Sequence, residues 1–223
     1  MDNVNYIENL LIPFGRIALL GAGRLGIRVM ERIVMTHRGG FKKISVYDGG
    51  TIEENDFYHI DKGAIPKENK ASFLKRKFLT PDTRQKEIEA VPFNFSKEEI
   101  KLLKNADTVV STIAGGDTLP LIAEIGNFCE LNAIPFITTN GVFGFGDEEI
   151  SICRKLKEIK KGPALFLKKY NFPEETEQIR FIGTGILIEE KLPISPIILE
   201  KIADMISTEV LKSLYGRKDG KNY

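Results

Sequence analysis

Nowhere does the chain hold an uninterrupted apolar run of the roughly 18–20 residues that a membrane-spanning helix needs, so no membrane partner is expected. Its first residues, Met1-Asp2-Asn3, lack a basic patch ahead of an apolar stretch. No secretory leader is therefore expected, and the cytoplasm is the expected compartment. Cysteine is scarce: Cys129 and Cys153 are the two present. Two thiols neither close a tetrahedral zinc site nor staple a disulfide scaffold, so no zinc is expected. Cys129 falls within an apolar helical pattern and reads as core packing. Charge of one sign is missing as well, because 32 Lys+Arg stand against 31 Asp+Glu and leave a formal +1. No global field recruits nucleic acid, so any partner has to be recognised by a local site. Biased tracts and internal repeats are also absent, and 223 residues suffice for one substantial core.

What is there alternates. The apolar run Ile17-Ala18-Leu19-Leu20 ends in glycine, and Leu25, Val29, Met30, Ile33 and Val34 then recur at helical spacing. Ile44-Ser45-Val46-Tyr47 follows as a second strand ending at Asp48. Strand, helix and strand in so short a stretch form the unit whose crossover is right-handed and whose strands are parallel. Further along, Lys70 to Phe78 reads as a helix and Ile88 to Val91 as a strand. Ser96 caps a helix through Leu103, with Glu98 and Glu99 in its first turn. Thr108–Ser111 is a buried strand, about Leu119 to Leu131 a helix, and Pro135–Thr139 another strand. The pattern predicts an α/β fold, a doubly wound and mostly parallel sheet with a Rossmann-like nucleotide-binding core and helices on both faces. Residues 1–150 are expected to form that core, and 151–223 a connection, strand and closing helix that complete the same domain. Residues 154–180, dense in lysine and then polar, read as a surface connection. The closing helix starts near Ser195-Pro196 and is expected to stop at Gly216, with Arg217 to Tyr223 frayed.

Gly21-Ala22-Gly23-Arg24-Leu25-Gly26 lies between the first strand and its helix, the context that gives a glycine loop its meaning. Gly21 permits the tight turn, Gly23 admits a phosphate against the backbone, and Gly26 lets helix and strand pack closely. The helix end offers unpaired N–H groups and a positive dipole to an anion. Asp48 ends the second strand, where a carboxylate accepts ribose hydroxyls. Arg24 can fork onto phosphate oxygens, whereas Arg28 and Arg32, farther along the same face, read as surface or dimer contacts. The loop itself suits either ATP or a nicotinamide dinucleotide.

The order of these motifs resembles the ThiF/MoeB adenylyltransferases, the family that includes ubiquitin-activating enzymes. The stretch Val46-Tyr47-Asp48-Gly49-Gly50-Thr51-Ile52-Glu53 carries the likeness, and so do Lys70-Ala71 opening a helix and the closing helix from Ser207 to Gly216. By this resemblance Asp48 matches the ribose-binding aspartate, Lys70 the phosphate-facing lysine, and Asp117 the magnesium-linked aspartate. Departures are equally definite. The family's phosphate-binding Asn falls on Asp56 and its Arg on His59, a pH-dependent substitute for a permanent charge. The family's paired cysteines are missing, and no arginine precedes Arg16 to serve a neighbouring subunit.

The resemblance implies a carboxylate substrate attacking the α-phosphorus of ATP, with pyrophosphate leaving. Lys70, Arg24 and Asp117 are the implied catalytic residues. Gly21, Ala22, Gly23, Arg24, Gly26, Asp48, Asp56, His59 and Lys70 are the implied nucleotide contacts, with Mg²⁺ on Asp117. It also implies a homodimer and a thiol-bearing acceptor enzyme. The lost cysteine pairs and the compact carboxyl-terminal half favour the small-molecule end of the family, and the resemblance there implies the guanylylpyridinol carboxyl of iron-guanylylpyridinol (FeGP) cofactor assembly as substrate. Three alternatives stay open: activation of the C-terminal glycine of a ubiquitin-like or sulfur-carrier protein, an NAD-dependent oxidoreductase, and a catalytically inactive nucleotide-binding partner. Cys153 is a candidate acyl acceptor, although its flanks resemble an edge strand.

Overall fold

A computed structural model describes residues 12–37, 39–79 and 85–219. Among these residues seven strands lie in one sheet: β1 (Arg16–Leu20), β2 (Lys43–Tyr47), β3 (Glu87–Val91), β4 (Thr108–Ser111), β5 (Phe136–Thr139), β6 (Ser151–Cys153) and β7 (Ile179–Gly183). Their order is β3-β2-β1-β4-β5-β7-β6, parallel throughout except for β6, which runs antiparallel to β7. Successive side chains of a strand point to opposite faces. In β1, Ile17 and Leu19 enter one core while Ala18 and Leu20 enter the other, and all four are buried. A strand apolar on both sides needs cover on both sides.

One face is covered by helices α1 (Arg24–Val34), α3 (Lys70–Phe78) and α5 (Pro196–Asp219). The other is covered by α4 (Leu119–Leu131) and two 3-10 helices, Lys97–Asn105 and Pro163–Tyr170. A short helix, α2 (Phe57–Asp61), lies between β2 and α3. This is the doubly wound α/β arrangement that the sequence predicts. No helix among the described residues is long and apolar enough to cross a membrane.

Three expectations are corrected. Residues 154–180 are not a surface connection: Leu156, Ile159, Ala164, Leu167 and Phe172 are buried in the second core, and β7 begins at Ile179 between β5 and β6. Five of the six lysines of this stretch, Lys157, Lys160, Lys161, Lys168 and Lys169, are exposed, while Leu156, Ile159 and Leu167 among them are buried. The closing helix runs through Gly216 to Asp219. Gly216 keeps a helical backbone instead of the left-handed conformation that ends helices. Tyr215 holds that turn, accepting the Gly40 N–H at 3.2 Å and meeting Phe14 edge-on at 5.0 Å.

The third correction concerns Arg28 and Arg32, which turn into the seam between α1 and α5. Arg28 is 3% exposed. Its Nε donates to Glu200 at 2.6 Å, its Nη1 donates to the Arg24 carbonyl at 2.7 Å, and its guanidinium lies 3.6 Å from the Tyr58 ring centre. Arg32 pairs with Glu200 and Asp204. The acidic partners lie on α5, far away in sequence, so helical spacing alone gave no sign of them.

Candidate nucleotide-binding site

The order of strand addition reverses between the parallel neighbours β1 and β4, since β2 and β3 lie to one side and β5 and β7 to the other. Open α/β sheets take ligands at such a switch point, beyond the carboxyl ends of the strands. A crevice of about 760 Å³ opens there. Gly21, Gly23 and Arg24 after β1, Asp48 after β2, Asp56 and Lys70 beyond it, and Thr112 after β4 all face it.

The glycine loop is built for close approach. Gly21 has φ +95°, a left-handed conformation that favours glycine. A Cβ on Gly26 would stand 2.1 Å from the Gly21 carbonyl oxygen, so the close contact of α1 with the loop admits no side chain. A Cβ on Gly23 would meet nothing within 4 Å, because that position looks into open space. No side chain caps the amino end of α1, and its first turn holds no acidic residue. The unpaired N–H groups and the positive dipole end are left for an anion.

Asp48 ties the loop to the neighbouring turn. Its Oδ2 accepts the Ala22 N–H at 2.7 Å and its Oδ1 accepts the Gly50 N–H at 2.7 Å. Each carboxylate oxygen keeps a lone pair for a further donor such as a ribose hydroxyl. Asn69 supports the same turn, donating to the Asp48 and Gly50 carbonyls while its side-chain oxygen caps α3 at Ser72. Lys70 thereby starts α3 at the crevice, its own N–H bonded to the Gly50 carbonyl at 2.9 Å. The Lys70 ammonium lies 3.0 Å from Asp56 Oδ2. Burial pushes the Asp56 carboxyl upward, but the Glu53 N–H and the Lys70 ammonium outweigh it and hold the group below the usual carboxylate range.

The structure does not gather every expected residue along the lining. Gly21, Gly23, Arg24, Asp48, Asp56 and Lys70 line the crevice. Ala22 and Gly26 are buried beneath it. His59 is also beneath, 0% exposed, with its Nε2 2.8 Å from the Ala22 carbonyl and Nδ1 4.0 Å from Asp56 Oδ1. Burial pushes its imidazole pKa below the ordinary histidine value, against weaker support from the Ala22 carbonyl and Asp56. Asp117 is exposed on a 3-10 turn, Gly116–Thr118, next to the lining residue Thr118. No cluster of three or more His, Cys, Asp or Glu side chains suited to a metal occurs among the described residues. Cys153 ends the edge strand β6 away from the lining, and burial pushes the Cys129 thiol up to about 12.

Other lining residues gave no signal in the sequence. Tyr47, Asn94 and Phe95 stand near the ends of β2 and β3, with Tyr47 and Phe95 in edge contact at 5.2 Å. Val142, Ile194 and Leu199 form an apolar end. Aromatic and aliphatic residues at these places read as core, and only the strand-end rule, applied to every strand, would have marked them.

The ThiF family model matches residues 11–223. The chain belongs to the ThiF family. Family membership makes it an ATP-dependent adenylyltransferase, which sets aside the oxidoreductase alternative. An uncharacterized protein of Methanocaldococcus jannaschii, MJ0693, is 39% identical over 215 residues, covering 96% of this chain and 83% of that protein. Among solved structures, guanylylpyridinol- and ATP-bound HcgE from Methanothermobacter marburgensis matches this ThiF-family chain with a TM-score of 0.83 and 30% identity, covering 92% of this chain and 98% of HcgE. ATP-bound tRNA N6-threonylcarbamoyladenosine dehydratase, TcdA, of E. coli has a TM-score of 0.76 at 15% identity, over 96% of this chain and 90% of TcdA. That last likeness speaks for the fold alone.

Proposed function

We propose that the crevice binds ATP and forms an acyl-adenylate on a small-molecule carboxylate, and that this carboxylate is that of guanylylpyridinol in FeGP cofactor assembly. One observation carries the reading: two cations, Arg24 and Lys70, share a single crevice with an uncapped helix end, and that crevice continues into an apolar wall. Phosphates rest over Gly23, where a side chain would otherwise intrude, and ribose hydroxyls donate to Asp48. The apolar end at Val142, Ile194 and Leu199 suits a substrate ring better than an extended polar tail. HcgE, bound in its structure to both guanylylpyridinol and ATP, supports the choice of substrate.

In this reading the substrate carboxylate attacks the α-phosphorus in line, the bond to the bridging oxygen breaks, and pyrophosphate leaves. The chain supplies no nucleophile. Arg24 and Lys70 hold phosphate oxygens and draw off the charge that gathers on the leaving group. The exposed Asp117 fits a Mg²⁺ site, because Mg²⁺ keeps several waters and takes one or two carboxylates together with substrate phosphates. When bound, Mg²⁺ neutralises charge on the polyphosphate. The thiol of an acceptor enzyme then attacks the acyl carbon, forming a thioester as the acyl–phosphate bond breaks and AMP leaves, and the protein works as a homodimer, which light scattering on the purified chain checks.

The test is titration with ATP–Mg²⁺ and with NAD, then pyrophosphate release with guanylylpyridinol and with a Gly-Gly-ended carrier peptide. ATP binding with release dependent on guanylylpyridinol is expected. Release with the peptide alone replaces the substrate, and no release with either overturns both carboxylates as substrates.

A further inference from the structure

The geometry points to His59 as a positioning residue that aims the Gly23 N–H at the nucleotide's phosphates from beneath the loop, without touching them. This inference rests on the crevice being an ATP site. It begins from the side on which the imidazole lies. His59 is fully buried, lines no part of the crevice, and packs with Phe73 at 6.0 Å between ring centres. Its Nε2 reaches the Ala22 carbonyl oxygen at 2.8 Å. A carbonyl oxygen only accepts, so Nε2 carries the proton and donates it.

The consequence follows from the peptide plane. In a trans peptide the C=O of one residue and the N–H of the next point in opposite directions. With the Ala22 carbonyl held down by His59, the Gly23 N–H is turned to the other side, away from the imidazole. Among the described residues that N–H has no hydrogen-bond partner. Gly23 lines the crevice, with open space where a Cβ would stand. The N–H of the preceding peptide, at Ala22, is fixed by Asp48 Oδ2 at 2.7 Å. Asp48 and His59 thus grip Ala22 at both its polar groups. Together they prevent the flip of the 22–23 peptide that would present a carbonyl oxygen to the phosphates.

The second imidazole nitrogen fits the same role. Nδ1 is buried without a hydrogen-bond partner among the described residues, 4.0 Å from Asp56 Oδ1, beyond hydrogen-bond length. Nε2 keeps its proton whether or not Nδ1 gains one, so the grip on Ala22 does not depend on a charge at His59. This separates positioning from the electrostatic role that an arginine-like histidine would play, since that role strengthens as pH falls.

The experiment compares wild type, His59→Leu and His59→Gln by isothermal titration with ATP–Mg²⁺ and with adenosine. Measurements run from about pH 5.5 to about pH 8, across the ordinary histidine range. Glutamine's Nε2 can still donate to the Ala22 carbonyl; leucine cannot. His59→Leu is expected to weaken ATP about tenfold to a hundredfold, the worth of one hydrogen bond to a charged group, and to leave adenosine unchanged. His59→Gln is expected to restore most of the ATP affinity, with the ratio of wild-type to His59→Gln affinity independent of pH. Equal losses for ATP and adenosine, or no rescue by glutamine, would overturn the proposal, and so would a ratio that grows at low pH. A wild-type chain that binds adenosine but not ATP would instead remove the triphosphate reading beneath it.

Discussion

Lys70 and Asp56 show how one pair serves both fold and chemistry. Their side chains are 19% and 8% exposed and lie 3.0 Å apart, so each is the other's counter-charge where little water reaches. Lys70→Met leaves a buried carboxylate without its cation, at a cost of about 1–3 kcal/mol. Urea unfolding should register that loss, and Lys70→Met with Asp56→Asn should recover part of it, because the uncompensated charge is then gone. Activity should follow a different rule. Both the single and the double variant should lose on the order of 10²-fold in pyrophosphate release, since neither keeps the cation. Recovery of turnover along with stability would mean that Lys70 is a structural lysine.

Much of the crevice lining was legible residue by residue. Gly21, Gly23, Arg24, Asp48 and Lys70 sit at strand or helix ends, where position along the chain nearly fixes position in space. The depth of His59 was not legible. A sequence shows that a histidine follows the second strand, but not which side of a loop its ring will occupy. That depends on the pocket beneath Ala22, to which Phe73 of α3 contributes from another part of the chain.

At the scale of elements, α1 holds the loop in place and is itself held by α5. Arg28 reaches across to Glu200, caps the Arg24 carbonyl and stacks on Tyr58 of α2. Arg28→Leu should therefore lower stability by about 1–3 kcal/mol in denaturant unfolding, while Glu200→Gln should cost less, because Arg28 keeps two of its three contacts. Equal costs would assign the stability to the two ion pairs of Glu200, with Arg28 and Arg32, and not to the Tyr58 and Arg24 contacts of Arg28. Gly26→Ala tests the same helix where it meets the glycine loop. Its methyl would meet the Gly21 carbonyl at 2.1 Å, so α1 must withdraw from β1. ATP affinity should fall at least tenfold by titration, because the helix end moves with it. The helices Lys70–Phe78 and Leu119–Leu131 were legible to the residue, since apolar spacing and end signals agreed. β7 was hidden. Arg180 interrupts its apolar run and is accommodated by α5, with Nε 3.8 Å from Glu209, a partner that no local window contains.

For the molecule as a whole, the response to acid is spread over groups whose pKa is lowered by folding, Glu68, Glu89 and Glu200 among them, and two such groups lie beside the glycine loop. His59 has its pKa lowered, first by burial. Asp56 has its pKa lowered because the Glu53 N–H and Lys70 overcome burial. In both cases the unfolded chain takes up a proton at a higher pH than the folded one. Folded and unfolded states hold equal protons above the unfolded pKa, and there the stability is complete. It is lost as pH falls through the interval down to the folded pKa. For His59 that interval opens near the ordinary value of about 6.5, and for Asp56 near about 3.9. The charges facing His59 are Asp56, Lys70 and Asp48, and Asp56 is still ionised through the upper interval. Thermal unfolding should therefore show a melting temperature that declines from about pH 6.5 downward and drops again below about pH 4. His59→Gln should flatten the first decline and leave the second in place, because the amide has no proton to gain. A first decline unchanged in His59→Gln would assign the acid response to other groups and leave His59 equally neutral in both states.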